Sequence, residues 1–537
     1  MVQDPSYGEE LHLSVAHTIN PRTGDVKRKF SQYTDAEHPL DDDWEIDYTN
    51  PQNVFTEKEV AYCVSIPGQT PWARQTTRES IEHAMEELKI SSDAEAKTAM
   101  VNEAKYPLHG ERHGAALVKF YAPSTAPKVA SMIDVVGIYE LAYNAKDEGA
   151  AEAEKPSWPC VHAIFHTDVS LDSLIPGLPV PAPSEHLVRR DMLLAHLTPV
   201  LGGDNLAAHY LLLHLLSNTV NVQGSKVGKL SLNLIGFPSG LQSEKAHASG
   251  FSLTNPSTRR VGDALAQFVP RCVELPFDLK LLNSSSFVPN AESGDLKAGV
   301  LQLARGTEVV CDETSLHEGT LDEKGVRNLH ALQTAILDQV VAYQYPFQPI
   351  EMDTNLRVLV LSSGKSILQN DCDLYLSDAA VALFADVQQG GGAEVKPLDP
   401  MHTEQIRQYL ELVRELEFSI PKDVSDAISE EYAESRKSAH ACGSKMMTQA
   451  ELALAITVAR LVSISKGESE LSLDSWREAG ALEKKRSERN DRARARHPAS
   501  GESRAEPPSA AAAANGTAEQ RSGPGAESDA KDGEPAR

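Results

Sequence analysis

The chain has 537 residues, room for two to four domains and a sizeable core. It is 41% hydrophobic and 24% charged, the balance of a folded protein, and no apolar run is long enough to span a bilayer. With 51 Lys plus Arg against 77 Asp plus Glu the net charge is −26, so the folded body should repel nucleic acid unless a local basic patch overrides the average. The first residues, MVQDPSYGEE, lack the apolar core of a signal peptide, which gives the expectation of an intracellular protein. The cysteines (Cys63, Cys160, Cys272, Cys311, Cys372 and Cys442) are far apart, without C-x-x-C or other metal-type spacing, and read as isolated reduced thiols.

In chain order, the first ninety residues read as β-rich. "ELHLSVAHTI" (10–19) suits a strand, and "EVAYCVSIPGQTPWAR" (59–74) is a strand stopped by Pro67-Gly68. A polar, alanine-rich stretch (91–114) reads as a mobile insertion, followed by strands at 115–122 and 131–142 and a second polar linker (144–157) before "PCVHAIFH". Short strands with long polar insertions suggest a small barrel of the oligonucleotide-binding (OB) type, although β-sandwiches give the same pattern. From about 185 the texture becomes helical, with Leu187, Leu194 and Leu197 at helical spacing and an apolar helix from Leu206 to Leu216. Buried strands follow at 299–313 and 355–366, and helices around continuous apolar strands are what an α/β core demands. Residues 402–482 are helical, with stripes such as Ile406, Leu410, Val413 and Leu416. The end is an Ala/Gly/Ser/Pro-rich tail that cannot bury a core.

The stretch "KLSLNLIGFPSGLQSEK" (229–245) runs from a buried strand into a glycine turn. Counting G-x-x-x-x-G-K-[ST] from Gly236 puts Leu241 at the second glycine, Gln242 at the lysine and Ser243 at the hydroxyl. A P-loop lysine sets its ammonium against phosphate, and losing one partner of such a buried pair costs roughly 2–5 kcal/mol. Gln242 has no charge, and a side chain at Leu241 blocks close backbone approach to phosphate. "TEVVCDET" (307–314) ends in Asp312-Glu313 like a Walker B strand, where the Asp would sit near Mg²⁺ and the Glu would orient water. Solvated acidic strand ends are also common. "VLVLSSGKS" (358–366) supplies Ser362 and Ser363 where a sensor asparagine would stand. Order and separation suit an AAA+ ATPase core with its nucleotide chemistry removed. The expectation is no catalytic residue, no cofactor and no metal, with Gly236, Gln242, Ser243, Asp312 and Glu313 as remnants.

Other groups are poorer. His196, His209 and His214 on apolar helix read as packed histidines, and Ser284–Ser286 have no His/Asp spacing to make a nucleophile. The block 483–497 carries Lys484, Lys485, Arg486, Arg489, Arg492, Arg494 and Arg496 after a helix and is a candidate nuclear localisation signal, the other reading being a solvated helix end.

From "YCVSIPGQTPW" (62–72), "LGGDNLAAHYLLLHLLS" (201–217), "GVLQLARGTEVVCDETSLHEGTLDEKGVRN" (299–328), "VLVLSSGKSIL" (358–368) and "TVARLVSISKGESELSLDSWREAGALE" (457–483), the chain resembles the mini-chromosome maintenance (MCM) complex-binding proteins. The resemblance runs from the first residues to about 482 and begins abruptly, which raises the expectation of a shortened N-terminus. It implies a non-catalytic partner of the MCM replicative helicase that takes the place of one ring member on an AAA+-like scaffold. It further implies roles in unloading the MCM complex from chromatin late in S phase, in sister-chromatid cohesion, and in protecting newly made MCM subunits. Implied partners are MCM subunits, with chromatin reached indirectly, no membrane and no direct DNA binding. Arg460, in a segment resembling the MCM lid helix, is a candidate partner-interface residue.

The expected fold is therefore α+β / α/β multidomain. It divides into an OB-like β-rich region (1–143), a connecting segment (144–184), a degenerate AAA+-like core (185–400), a helical lid (401–482) and a basic block with disordered tail (483–537). The competing readings are a weak AAA+-type ATPase keeping Asp312 and Glu313, and a single-stranded DNA-binding replication factor.

Overall fold

Alternating residues at the N-terminus build one seven-stranded sheet in the computed structural model. The structure describes residues 1–35, 40, 43–76, 102–121, 127–143, 157–169, 183–222, 224–240, 251–391, 395–443 and 446–496. Met1–Asp491 form one unit, and Arg492–Arg537 a second. The N-terminal strands are β1 (Val2–Ile19), β2 (Val26–Phe30), β3 (Glu45–Ile46), β4 (Val54–Val64), β5 (Ala115–Phe120), β6 (Ile133–Tyr143) and β7 (Ser157–Asp168). Their order is β2-β1-β4-β5-β7-β6, with β3 added to β1; only β5 and β7 run parallel. β1 starts well before the expected Glu10. Its polar first half pairs with β4 from Val2↔Cys63 to Gly8↔Val60, and register shifts around Asp4 absorb Pro5, which has no amide to donate.

The expected mobile insertion is different where it is described. In 102–114, Lys105 is 1% exposed and its ammonium bonds Asp4 Oδ2 and Leu296 O, each at 3.1 Å. It also lies over the rings of Tyr7 and Tyr62. Tyr106 and Leu108 are buried beside it, so a polar-looking stretch contributes to the core through one paired lysine. Residues 91–101 and 144–156 of the expected linkers lie outside the described residues.

The second half holds β8 (Val220–Val222), β9 (Ser225–Val227), β10 (Leu232–Ile235), β11 (Cys272–Pro276), β12 (Thr307–Asp312), β13 (Val340–Gln344), β14 (Pro349–Asp353), β15 (Leu356–Ser362) and β16 (Cys372–Tyr375). Five of them make a wholly parallel sheet in the order β11-β12-β15-β10-β16. Such a sheet needs cover on both faces, and its strands are continuously apolar for that reason. Leu359 and Leu361 of β15 pack on one side, Val358 and Val360 on the other. Of the expected strand 299–313 only Thr307–Asp312 is extended, while Val300, Leu301 and Leu303 are buried in irregular chain.

The helices are α1 (Pro183–Val200), α2 (Asn205–Leu216), α3 (Pro256–Ala266), α4 (Leu279–Ser284), α5 (Glu323–Asp338), α6 (Asp378–Gln388), α7 (Pro400–Arg414), α8 (Lys422–Cys442), α9 (Gln449–Ser465) and α10 (Leu473–Arg496). α2 is buried on every side except at Asn205 and His209, as its apolar sequence requires. The basic block does not follow a helix but is the second half of α10. No helix of the described residues is long and apolar enough to cross a membrane.

Both edges of the parallel sheet are covered. At the β11 edge, Gly68 O accepts from Cys272 N at 2.8 Å, Thr70 N donates to Pro270 O at 3.0 Å, and Trp72 Nε1 donates to Ala266 O at 3.0 Å. The guanidinium of Arg407 stacks 3.9 Å over the Trp72 ring. "IPGQTPW" is thus the seam between the N-terminal sheet and the α/β core. At the β16 edge, outward-facing backbone is paired by side chains of α10. Asn490 accepts from Tyr375 N at 3.1 Å and donates to Asp373 O at 2.8 Å, while Arg486 donates to Asp373 O at 3.0 Å. An unpaired parallel edge would otherwise be a template for association.

Candidate functional site

In an open parallel sheet, ligands bind where loops leave the carboxyl ends of the strands. β10, β12 and β15 deliver the turn at Gly236, the acids Asp312-Glu313 and the serines Ser362-Ser363 to that edge. Gly236 has φ +121°, a conformation open to glycine, and the amides of Gly236 and Phe237 both donate to Ser362 O at 2.9 and 3.1 Å. The turn is held down by Phe237, 2% exposed against Phe384, and by Gly240 N, which donates to Thr314 O at 2.8 Å. Leu241, Gln242 and Ser243 lie outside the described residues.

The first described helix after this turn is α3, capped by Asn255 and opening with Pro256 at its first position. Its N-terminus is sewn to the strand ends. The Asn255 amide nitrogen donates to Pro238 O and Thr314 Oγ1, each at 2.9 Å, and Thr258 Oγ1 lies 2.8 Å from Asp312 Oδ2.

Asp312 is fully buried and saturated. Besides Thr258, its carboxylate accepts from Thr314 N at 3.0 Å, Thr314 Oγ1 at 2.5 Å and Ser315 Oγ at 3.4 Å. Burial pushes its pKa above the ordinary value against the pull of these bonds. Glu313 accepts from Ser366 Oγ at 2.6 Å, and burial raises it too. Ser362 Oγ is 2.8 Å from Asn233 Oδ1, and Asn233 Nδ2 donates to Asp373 Oδ1 at 3.1 Å. A divalent ion on Asp312 would have to displace neutral hydroxyls that already fill its lone pairs, so the arrangement works as a hub locking α3 onto β12.

Arg460, on α9, points inward. Its guanidinium lies 5.7 Å from the Phe418 ring, and Nη1 sits 2.9 Å from where a Cβ on Gly228 would be, with no hydrogen-bond partner among the described residues. Burial lowers its pKa. In the basic block, Lys484, Lys485, Arg492, Arg494 and Arg496 are exposed. Arg486 is held by Glu483 at 2.7 Å, and Arg489 grips both oxygens of Asp204 at 2.8 and 2.6 Å. Sequence reasoning missed the partners of Asp312, because Thr258 and Thr314 carry no motif signal. It also missed the pairing of α10 with β16, although Asn490 among charged residues was an available clue.

A wholly parallel sheet with a self-satisfied acidic edge, seamed to a β-rich N-terminal sheet and followed by helices, defines a mixed α/β protein. The chain belongs to the mini-chromosome maintenance replisome factor family, whose model matches residues 1–99 and 76–490. It is similar to the mini-chromosome maintenance complex-binding protein of Gallus gallus, 27% identical over 568 residues, covering 90% of this chain and 86% of the relative. The protein of that name from Arabidopsis thaliana is 28% identical, with 81% and 79% covered, and that from Homo sapiens is 25% identical, with 90% and 86% covered.

Proposed function

We propose that this chain binds MCM helicase subunits without catalysis of its own, through an AAA+-like core with a helical lid (401–482) and an OB-like N-terminal region. The observation that carries this reading is Asp312, whose carboxylate is spent on Thr258, Thr314 and Ser315. A working nucleotide site keeps that acid free for Mg²⁺. The names of the relatives support the partner, and the glycine turn, acidic pair and serine pair on neighbouring parallel strands support descent from a nucleotide-binding scaffold. A mimic that docks at a heterologous ring contact but cannot clamp nucleotide weakens ring closure. On this reading it promotes unloading of the MCM complex from chromatin, with consequences for replication and cohesion, and works in the nucleus.

The test is co-purification of MCM subunits with the tagged full-length chain from nuclear extract, repeated with purified subunits. Enrichment over a control bait is expected; none in either format would overturn the proposal. A weak ATPase remains the second reading, because the acids occupy the ligand-bearing edge of the sheet. Micromolar Mg-ATP binding by calorimetry, abolished in Asp312→Ala, would favour it.

A further inference from the structure

We propose that Cys160, His162 and Asp35 form a divalent-metal site of the zinc class on the N-terminal sheet. The ligand atoms of these three residues lie within 4.8 Å of one another. Cys160 and His162 are two residues apart on β7, so both side chains leave the same face of the sheet. Asp35 comes from the chain after β2 and covers them. The sulfur of Cys160 is 3.9 Å from His162 Nε2, and Asp35 Oδ2 is 3.8 Å from the same nitrogen. A tetrahedral zinc ion with ordinary bond lengths sets nitrogen and sulfur ligands about 3.6 Å apart and nitrogen and oxygen ligands about 3.4 Å apart. The two pairs that share Nε2 need contract by only a few tenths of an ångström.

The surroundings suit an ion. Tyr121 OH is 2.7 Å from His162 Nδ1, the outer partner that orients a ligating imidazole. Loading puts the ring proton on Nδ1 and turns the Nε2 lone pair to the ion. Glu140 Oε2 stands 3.1 Å from Nε2. Two ammonium groups complete the cluster: Lys58 lies 2.9 Å from Asp35 Oδ1, and Lys119 lies 2.7 Å from Asp35 Oδ2 and 2.6 Å from Glu10 Oε2.

Counting charges, Glu10, Asp35 and Glu140 against Lys58 and Lys119 leave one negative charge. A divalent ion plus the Cys160 thiolate adds one positive charge, so the loaded cluster is neutral, the arrangement a half-buried site favours. An entering ion displaces the Lys119 ammonium from Asp35 Oδ2, and the thiolate and imidazole are the ligands that select zinc over magnesium or calcium. Cys160 and His162 are buried, whereas the Asp35 side chain is 26% exposed, giving an entry path from solvent.

The experiment uses the full chain, stripped with a chelator and titrated with Zn²⁺ against a chromophoric competitor and with Co²⁺ by absorption. Expected are one equivalent bound, proton release on binding, and a thiolate-to-cobalt charge-transfer band that vanishes in Cys160→Ser. Cys63→Ser, on β4 with β5 between it and β7, should keep the band. Tyr121→Phe retains every ligand and should weaken zinc binding about 10–100-fold, the usual effect of losing an outer partner. Absence of the band in the wild-type chain, or its persistence in a Cys160→Ser chain with an unchanged circular dichroism spectrum, would overturn the proposal. If Cys160→Ser does not fold, the Tyr121→Phe titration decides: unchanged affinity overturns it.

Discussion

The hydroxyl of Thr258, near the start of α3, lies 2.8 Å from the buried carboxylate of Asp312 at the end of β12, and Thr314 occupies the other carboxylate oxygen at 2.5 Å. The start of α3 is thus joined to a strand end by neutral hydrogen bonds. The acid contributes to architecture, and its substitution should report on stability.

Asp312→Ala leaves Thr314 Oγ1 and Thr314 N without their acceptor in a buried place, while Thr258 Oγ1 can turn to Asn255 O at 3.1 Å. Each buried group left unsatisfied costs about 1–3 kcal/mol, so a clear fall in the urea midpoint is expected. Asp312→Asn keeps one acceptor oxygen and should fall less. Phosphate release from Mg-ATP should be at background in the wild-type chain and in both variants. Turnover in the wild type that disappears in Asp312→Asn would contradict this account.

A second buried acid gives the pH dependence. Glu308 on β12 accepts from His214 Nε2 at 2.6 Å and from Arg357 Nε at 3.1 Å, with acid and histidine both fully buried. Burial alone would raise its pKa, but the His214 ring and the Arg357 guanidinium hold it below the ordinary value. Between the folded and unfolded values the unfolded chain binds more protons, so stability rises with pH there. The contribution is complete above the unfolded value of about 4.3 and is lost as pH falls through the folded value. Glu308→Gln should flatten that slope and destabilise by about 3–5 kcal/mol at neutral pH, since it leaves Arg357 buried without its counter-charge. Urea midpoints at a series of acidic pH values check both.

How much of this was legible follows from the range of each signal. The apolar runs of β10, β12 and β15 and the all-apolar α2 depend on burial alone, and composition records burial. The strand order, which sets Gly236, Asp312 and Ser362 side by side, depends on crossovers that no local pattern encodes. Thr258 and Asp312 are 54 positions apart, and nothing in "NPSTRR" marks a partner for a distant acid. Cys160-x-His162 stands in the sequence without a paired-cysteine signature, and Asp35 reaches it only through the fold. Likewise "EKKRSERNDR" reads as a charged surface until β16 lies beneath it.

That last point separates two roles within the basic block. Lys484, Lys485 and Arg494 are exposed, whereas Arg489 pairs with Asp204, the N-cap of α2. Replacing Lys484, Lys485 and Arg494 with alanine should leave the melting temperature nearly unchanged, each such surface change being worth about 0.5 kcal/mol or less. If the block is a nuclear address, the same triple variant loses nuclear signal in a tagged chain. Arg489→Ala should instead cost about 1–3 kcal/mol, because the nearly buried Asp204 loses a charged partner. A truncation that keeps α10 and removes 497–537 preserves the clamp, whereas one starting at 483 strips Arg486, Arg489 and Asn490 from the β16 edge. Equal nuclear signal in the wild type and the triple variant would show that these lysines and Arg494 are not the address.

The seam at the opposite edge rests on one glycine. Gly68 has φ +66°, and a Cβ there would lie 2.5 Å from Val273 Cγ2 and 2.9 Å from Cys272 O. Gly68→Ala therefore adds a steric clash with β11 to the left-handed backbone penalty of about 1–2 kcal/mol. Gly110 offers the matched control, with φ +86° and nothing within 4 Å of the added carbon, so Gly110→Ala bears the backbone term alone. The amide of Cys272 donates to Gly68 O, so displacement of the loop exposes that amide to solvent. Gly68→Ala should lower the melting temperature more than Gly110→Ala and speed hydrogen exchange at 271–273, while Gly110→Ala leaves that exchange unchanged. Identical exchange at 271–273 in the two variants would mean that the edge of the parallel sheet is held by Thr70 and Trp72 without Gly68.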